Sequence, residues 1–270
     1  MKIEGTIAIL GTGNIGSSIA EGLLSSGEYK SEDIILTRRR RDLLKTYEQR
    51  GFPVTEDNLE AVEKAGVVIL AVRPQQAETL LDQISGVLSR GEKILVSVVT
   101  DIAIADMRKY IPVNVPVIRV MPNTAIAVRQ SMTCLCAEEA YKKELEKVRR
   151  IFEHLGRTVI IEEELMDSAT VLAACGVAFF MRAIRAASQG GIQIGFHSDE
   201  ALKIAAQTAR GAAELLLSKG SHPESEIDNV TTPKGCTIAG LNEMEHQGFS
   251  SAIIKGIMAS YEKAGSLHQG

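Results

Sequence analysis

A chain of 270 residues, 45% hydrophobic and 24% charged, has the make-up of a soluble globular protein with room for one large or two ordinary domains. Its net charge of −4 argues against a nucleic-acid partner, and its longest uncharged stretch, 168–181, is too short and too polar to span a bilayer, so no membrane role is expected. The cysteines form no C-x-x-C and the histidines no ligand pair, so no metal site is expected.

The opening MKIEGTIAIL runs straight into a strand without the look of a cleavable leader, which points to the cytoplasm. In that setting Cys134, Cys136, Cys175 and Cys236 read as buried free thiols. His154, His197, His222, His246 and His268 are scattered and read as surface or helix-end residues. No G-x-S-x-G is present, so a Ser-His-Asp hydrolase is not indicated.

Apolar, β-branched runs recur along the first 160 or so residues: 6–10, 34–37, 67–72, 93–99, 116–122, 131–137 and 158–161. Their near-continuous apolar character predicts strands buried on both faces. Amphipathic segments alternate with them, with Thr55 and Thr100-Asp101 as expected helix caps, so the pattern predicts a doubly wound α/β sheet. The last two runs are joined by a short connection, so the far edge is expected to depart from strict alternation. After Ile161 the strand-like runs stop. Residues 162–191 read as one long helix or two abutting ones, Ser198-Asp199 as the cap of another helix, and 237–265 as one or two more. The expected division is a dinucleotide-binding domain over 1–161 and a helical domain over 162–270. The helices are rich in small residues and the chain has no Trp, so close packing with a second chain is expected.

Gly11-Thr12-Gly13-Asn14-Ile15-Gly16 follows the first strand and opens a helix, the context that makes G-x-G-x-x-G a Rossmann-type dinucleotide fingerprint. Gly11 permits the tight turn, Gly13 lets a pyrophosphate approach the backbone, and Gly16 packs helix against strand. At the end of the second strand, where an acid normally binds a ribose 2′-hydroxyl, the chain reads Thr37-Arg38-Arg39-Arg40-Arg41. A hydroxyl and guanidinium groups suit a 2′-phosphate. Thr37, Arg38 and Arg39 are the expected contacts and NADPH the expected cofactor, with NADH a weaker substitute.

The late stretch NVTTPKGCTIAG (229–240) interrupts the helical region with three threonines, a proline and small residues around a turn. A turn that opens a helix leaves backbone N–H groups unpaired, and these form an anion site. With ILAVRPQ (69–75), MPNTAIAV (121–128), QTARGAAELLL (207–217) and above all DNVTTPKGCTIAGLNEMEHQGF (228–249), the chain resembles the pyrroline-5-carboxylate reductase family over nearly its whole length. The resemblance implies an all-helical dimerisation domain behind the Rossmann-type sheet. It also implies NADPH-dependent reduction of the cyclic imine 1-pyrroline-5-carboxylate to proline, and a homodimer or larger homo-oligomer whose subunits interleave at the substrate. It implies substrate contacts from Asn229, Val230, Thr232, Gly235, Cys236 and Thr237, with Thr237 catalytic through a hydrogen bond to the imine nitrogen, and cofactor contacts from Ala71, Val72, Arg73, Pro74, Met121, Pro122 and Asn123.

The chain departs from the family's pattern in places. Residues 173–179 read AACGVAF in place of a hydroxyl-rich S-G-S-G-P-A-Y-like segment, Arg73 stands for a lysine, and Lys234-Gly235 for a Gly-Gly pair. A reductase of another cyclic imine and a non-catalytic NADPH-binding paralogue therefore stay open as alternatives. A β-hydroxyacid dehydrogenase is strongly disfavoured, because such enzymes need a lysine on the first long helix after the cofactor domain and none lies between Lys147 and Lys203.

Overall fold

The computed structural model describes residues 5–267, so His268 lies outside the described residues. Among the described residues eight strands form one sheet in the order β3-β2-β1-β4-β5-β6-β7-β8. They are β1 (Ile7–Leu10), β2 (Ile34–Thr37), β3 (Val54–Thr55), β4 (Val67–Leu70), β5 (Ile94–Ser97), β6 (Val117–Met121), β7 (Ser131–Ala137) and β8 (Gly156–Ile160). Every neighbouring pair is parallel except β6 with β7, which is antiparallel. The reversal falls one connection earlier than expected: the last two predicted runs, β7 and β8, pair in parallel across the long helical connection 138–155, whereas 122–130 between β6 and β7 is too short for the crossover that parallel neighbours need. The two-residue β3 has no counterpart among the predicted runs.

Helices α1 (Asn14–Ser25), α2 (Lys45–Gln49), α3 (Asn58–Lys64), α4 (Pro74–Leu88), α5 (Ile104–Met107) and α6 (Lys142–Glu153) join the strands. Successive strand residues point to opposite faces, and each face has its own core. Ile7, Ile9, Ile34, Leu36 and Ile69 pack with Ile19 and Leu23 of α1 and with Val148 and Phe152 of α6. Ala8, Leu10, Val68, Leu70 and Leu95 pack with Ala61 of α3 and with Leu81 and Ile84 of α4. Burial on both faces is why these strands show no apolar–polar alternation.

Three expected caps are corrected. Asp57, not Thr55, caps α3, its carboxylate accepting from Leu59 N and Glu60 N, because Thr55 is held in β3 opposite Thr37. Helix α5 starts only after Ala103, since Asp101 takes a left-handed φ of 61° that turns the chain before any helix can begin. Further on, His197 and not Ser198-Asp199 precedes α9 (Ser198–Lys219). Of the cysteines, Cys134 and Cys136 are buried, whereas Cys175 is half-buried and Cys236 exposed. Burial among apolar neighbours pushes the Cys136 thiol up to about 12, so it stays protonated and unreactive near neutrality.

The remaining helices are α7 (Met166–Ala169), a π-helical segment Thr170–Cys175, α8 (Gly176–Gln193), α9, α10 (Pro223–Asn229), α11 (Cys236–His246) and α12 (Phe249–Leu267). Residues 163–193 thus form one continuous helical run with a π insertion, and the final stretch is two helices. The chain divides into two compact units, Met1–Cys175 with Tyr261–Gly270, and Gly176–Ser260. In the first, Met166, Ala169 and Val171 are buried with the sheet's core residues. In the second, α8 packs on α9 where Gly191 meets Ala201; a Cβ on Gly191 would come within 3.1 Å of the Ala201 Cβ. Few side chains of this unit are buried, while Phe180 is 68%, Met181 61% and Ile194 79% exposed. Among the described residues the run Glu163–Gln193 is long and apolar enough, by length and composition, to cross a membrane, a wider window than the uncharged 168–181.

Candidate functional site

The first turn after β1 is built by glycines with different duties. Gly11 has φ +99°, and a Cβ there would lie 2.6 Å from the Ala71 carbonyl oxygen. At Gly16 a Cβ would collide with the Gly11 carbonyl oxygen and press on Ile9. Gly13 differs: a Cβ there would meet nothing within 4 Å. Its position just before α1 leaves that helix with no side-chain cap and no acid in its first turn, so its N–H groups face open space.

Thr37 at the end of β2 anchors this turn. Its carbonyl accepts from Gly11 N (3.3 Å), Thr12 N (3.0 Å) and the Thr12 hydroxyl (3.0 Å), and its own hydroxyl donates to Asn58 Oδ1 (2.7 Å). A cavity of about 510 Å³ opens above it. Of the expected cofactor residues, Gly11, Thr12, Gly13, Thr37, Arg38, Arg39, Ala71, Val72 and Arg73 line this cavity. Asn14, Ile15, Gly16, Pro74, Met121, Pro122 and Asn123 are not among the lining residues. Sequence reasoning missed Arg40, Leu43, Glu56 and Asn58, and the α4 face of Gln76, Thr79, Leu80 and Gln83. The i, i+3, i+4, i+7 spacing of that face was the available signal.

The four arginines have different partners. Arg40 pairs with Asp42 and Arg41 with Glu48, both at 2.9 Å. The first pairing raises the Arg40 pKa and lowers that of Asp42, in each case through their shared hydrogen bond. Arg38 instead donates to the Thr12 carbonyl oxygen (2.8 Å). Arg38 and Arg39 have no carboxylate within ion-pair distance among the described residues, and both face the cavity. An uncapped helix N-terminus, an open approach at Gly13 and two uncompensated guanidinium groups fit a phosphorylated dinucleotide.

The late turn is a second helix opening. Gly235 N donates to the Thr232 carbonyl oxygen (2.9 Å), closing the turn Thr232–Gly235 with Lys234 at φ +59°. Gly235 precedes α11, which has no side-chain cap and no acid in its first turn. A Cβ on Gly235 would collide with the Thr232 hydroxyl. The Gly235 N–H is therefore committed to the turn, and the N–H groups of Cys236 and Thr237 are the ones left for an anion. Thr232 is exposed and Thr237 half-buried. The Thr231 hydroxyl is taken by the Ile227 carbonyl (2.7 Å), while Asn229 ends α10 and Val230 follows it, both exposed.

Residues 163–267 match the family model "Pyrroline-5-carboxylate reductase dimerisation", and 6–101 match "NADP oxidoreductase coenzyme F420-dependent". Pyrroline-5-carboxylate reductase 2 of Dictyostelium discoideum is 48% identical across 98% of this chain and 93% of its own length. The chain belongs to the pyrroline-5-carboxylate reductase family. Pyrroline-5-carboxylate reductase 1 of the same organism is also 48% identical across 99% of this chain, but the chain spans only 51% of that protein. The fold agrees with a Plasmodium falciparum pyrroline carboxylate reductase solved with NADP bound: TM-score 0.87 at 23% identity, covering 99% of this chain and 100% of that one.

Within the reductase fold, the 173–179 departure falls where the π segment ends. Ala173 and Ala174 pack against the apolar core on the α3–α4 face of the sheet. The Ala173 carbonyl accepts from Asn123 Nδ2 (3.1 Å), while Asn123 Oδ1 accepts from Ala125 N (3.0 Å). The Asn123 amide thus ties the start of this segment to the turn that follows β6.

Proposed function

We propose that this chain is an NADPH-dependent pyrroline-5-carboxylate reductase, which reduces the C=N bond of 1-pyrroline-5-carboxylate to give L-proline. The observation that carries the reading is the presence in one chain of two uncapped helix N-termini with different surroundings. One opens behind G-x-G-x-x-G beside uncompensated arginines, and the other opens behind a turn bearing Thr232 and Thr237. Membership of the family supports it.

In this reading residues 1–161 hold the dinucleotide. The α1 N-terminus takes the pyrophosphate, Thr37, Arg38 and Arg39 take the 2′-phosphate, and Arg73 lies on the cavity wall. The bound cofactor supplies the hydride. Residues 162–270 hold the imine. The Thr232 hydroxyl and the Cys236 and Thr237 N–H groups bind its carboxylate, and the Thr237 hydroxyl bonds the ring nitrogen and fixes the ring's orientation. A protonated imine is already electrophilic, so no catalytic histidine or lysine is required. Two or more copies assemble through the helical unit, whose exposed Phe180, Met181 and Ile194 fit a second chain; a cytoplasmic place free of membrane and nucleic acid completes the proposal.

The test mixes purified protein with NADPH and 1-pyrroline-5-carboxylate and follows the reduced-nicotinamide absorbance. Thr237→Ala is expected to lower turnover by at least about tenfold with NADPH affinity nearly intact. Unchanged turnover removes Thr237 from the mechanism. Bound but unoxidised NADPH in the parent protein would favour a different cyclic imine or a non-catalytic NADPH sensor, the readings that the hydroxyl-free 173–179 segment leaves standing.

A further inference from the structure

We propose that Gln76 is a positioning residue for Arg39 and thereby sets the preference for a 2′-phosphorylated cofactor, an inference that rests on NADPH being the cofactor. Gln76 sits in the first turn of α4 and lines the same cavity as Arg39. With its amide oxygen turned toward the guanidinium, the orientation that satisfies the donors, Gln76 accepts from both Nη1 and Nη2 of Arg39 at 3.2 Å.

The chemistry of that partner matters. Arg40 and Arg41 meet carboxylates, which oppose their charge. Arg39 meets a neutral amide, which fixes the planar fork in space and leaves the full positive charge for an incoming anion. Arg38 follows the same logic with the Thr12 carbonyl. The nearby acid on the cavity wall, Glu56, accepts from the Arg41 backbone N–H (3.3 Å). A glutamate at position 76 would hold Arg39 as well as glutamine does but would repel a phosphate. A leucine would leave a long, exposed side chain to wander, so the charge would be present but not placed.

Calorimetric titration of the full chain with adenosine 2′,5′-bisphosphate and with AMP isolates the 2′-phosphate from hydride transfer. The expected result is that Gln76→Leu weakens the bisphosphate about fivefold or more relative to AMP, and that Gln76→Glu weakens it further. In an Arg39→Ala background, Gln76→Leu should add nothing, because Gln76 acts only through Arg39. An unchanged bisphosphate-to-AMP ratio in both Gln76 variants overturns the proposal, as does an undiminished effect in the Arg39→Ala background. A parent protein that binds the two probes equally overturns the NADPH reading itself, and this proposal with it.

Discussion

At the scale of single residues, Gly13 and Gly16 of the turn after β1 make separable predictions. Gly13→Ala adds a methyl group to open space at a position with ordinary backbone angles (φ −88°), so the fold should lose less than about 1 kcal/mol. The same methyl group stands where a pyrophosphate would approach, and NADPH should bind at least about tenfold more weakly. Gly16→Ala drives its Cβ into the Gly11 carbonyl oxygen and should cost roughly 2 kcal/mol or more of stability. Thermal denaturation beside an NADPH titration of each variant checks the pair. Equal loss of stability in both would mean that Gly13 is as structural as Gly16. These assignments are legible in the sequence because turn, strand and helix lie within a few residues of one another. The partners of the arginines are not: Thr12 and Gln76 come from distant points of the chain and reach Arg38 and Arg39 only once the sheet has assembled.

At the scale of elements, the ion pair between Arg119 on β6 and Glu163 ties the sheet to the entry of the long helical run (2.8 Å). The same carboxylate oxygen accepts from Ile104 N at the start of α5 (2.7 Å). The Arg119 side chain is only 7% exposed, against 32% for Glu163, so Glu163→Ala strands a buried guanidinium as well as a backbone N–H. A loss of about 2 kcal/mol is expected, allowing for the partial exposure of the carboxylate. A denaturant midpoint unchanged from the parent would show that water replaces the carboxylate without penalty. Element boundaries are where the sequence is least readable. Thr55, Asp57 and Asn58 all have cap chemistry, and the pairing of β3 with β2, which takes Thr55, decides among them. A two-residue strand has no periodicity to detect. The π segment likewise leaves no trace in the pattern of apolar residues, and the apolar chemistry of Ala173 and Ala174, which reads as a loss of hydroxyls, is in the fold a gain of core contacts.

At the scale of the molecule, the two units differ in what stabilises them. The first has apolar cores on both faces of an eight-stranded sheet. The second packs α8 against α9 through small residues and leaves Phe180, Met181 and Ile194 largely exposed. Its scarcity of large core residues is visible in the sequence; which faces stay bare is not, because that depends on how α8 and α9 meet at Gly191 and Ala201. Under the proposed assembly this unit draws stability from other copies, and stability then obeys mass action. Its unfolding midpoint should rise as the protein is concentrated, whereas that of the sheet unit should not. Calorimetry across a hundredfold dilution series would check this, and a single midpoint independent of concentration would count against assembly through these helices. At great dilution the chain should keep the cleft beside Gly13 and lose the turn Thr232–Gly235, so that NADPH binding outlasts turnover.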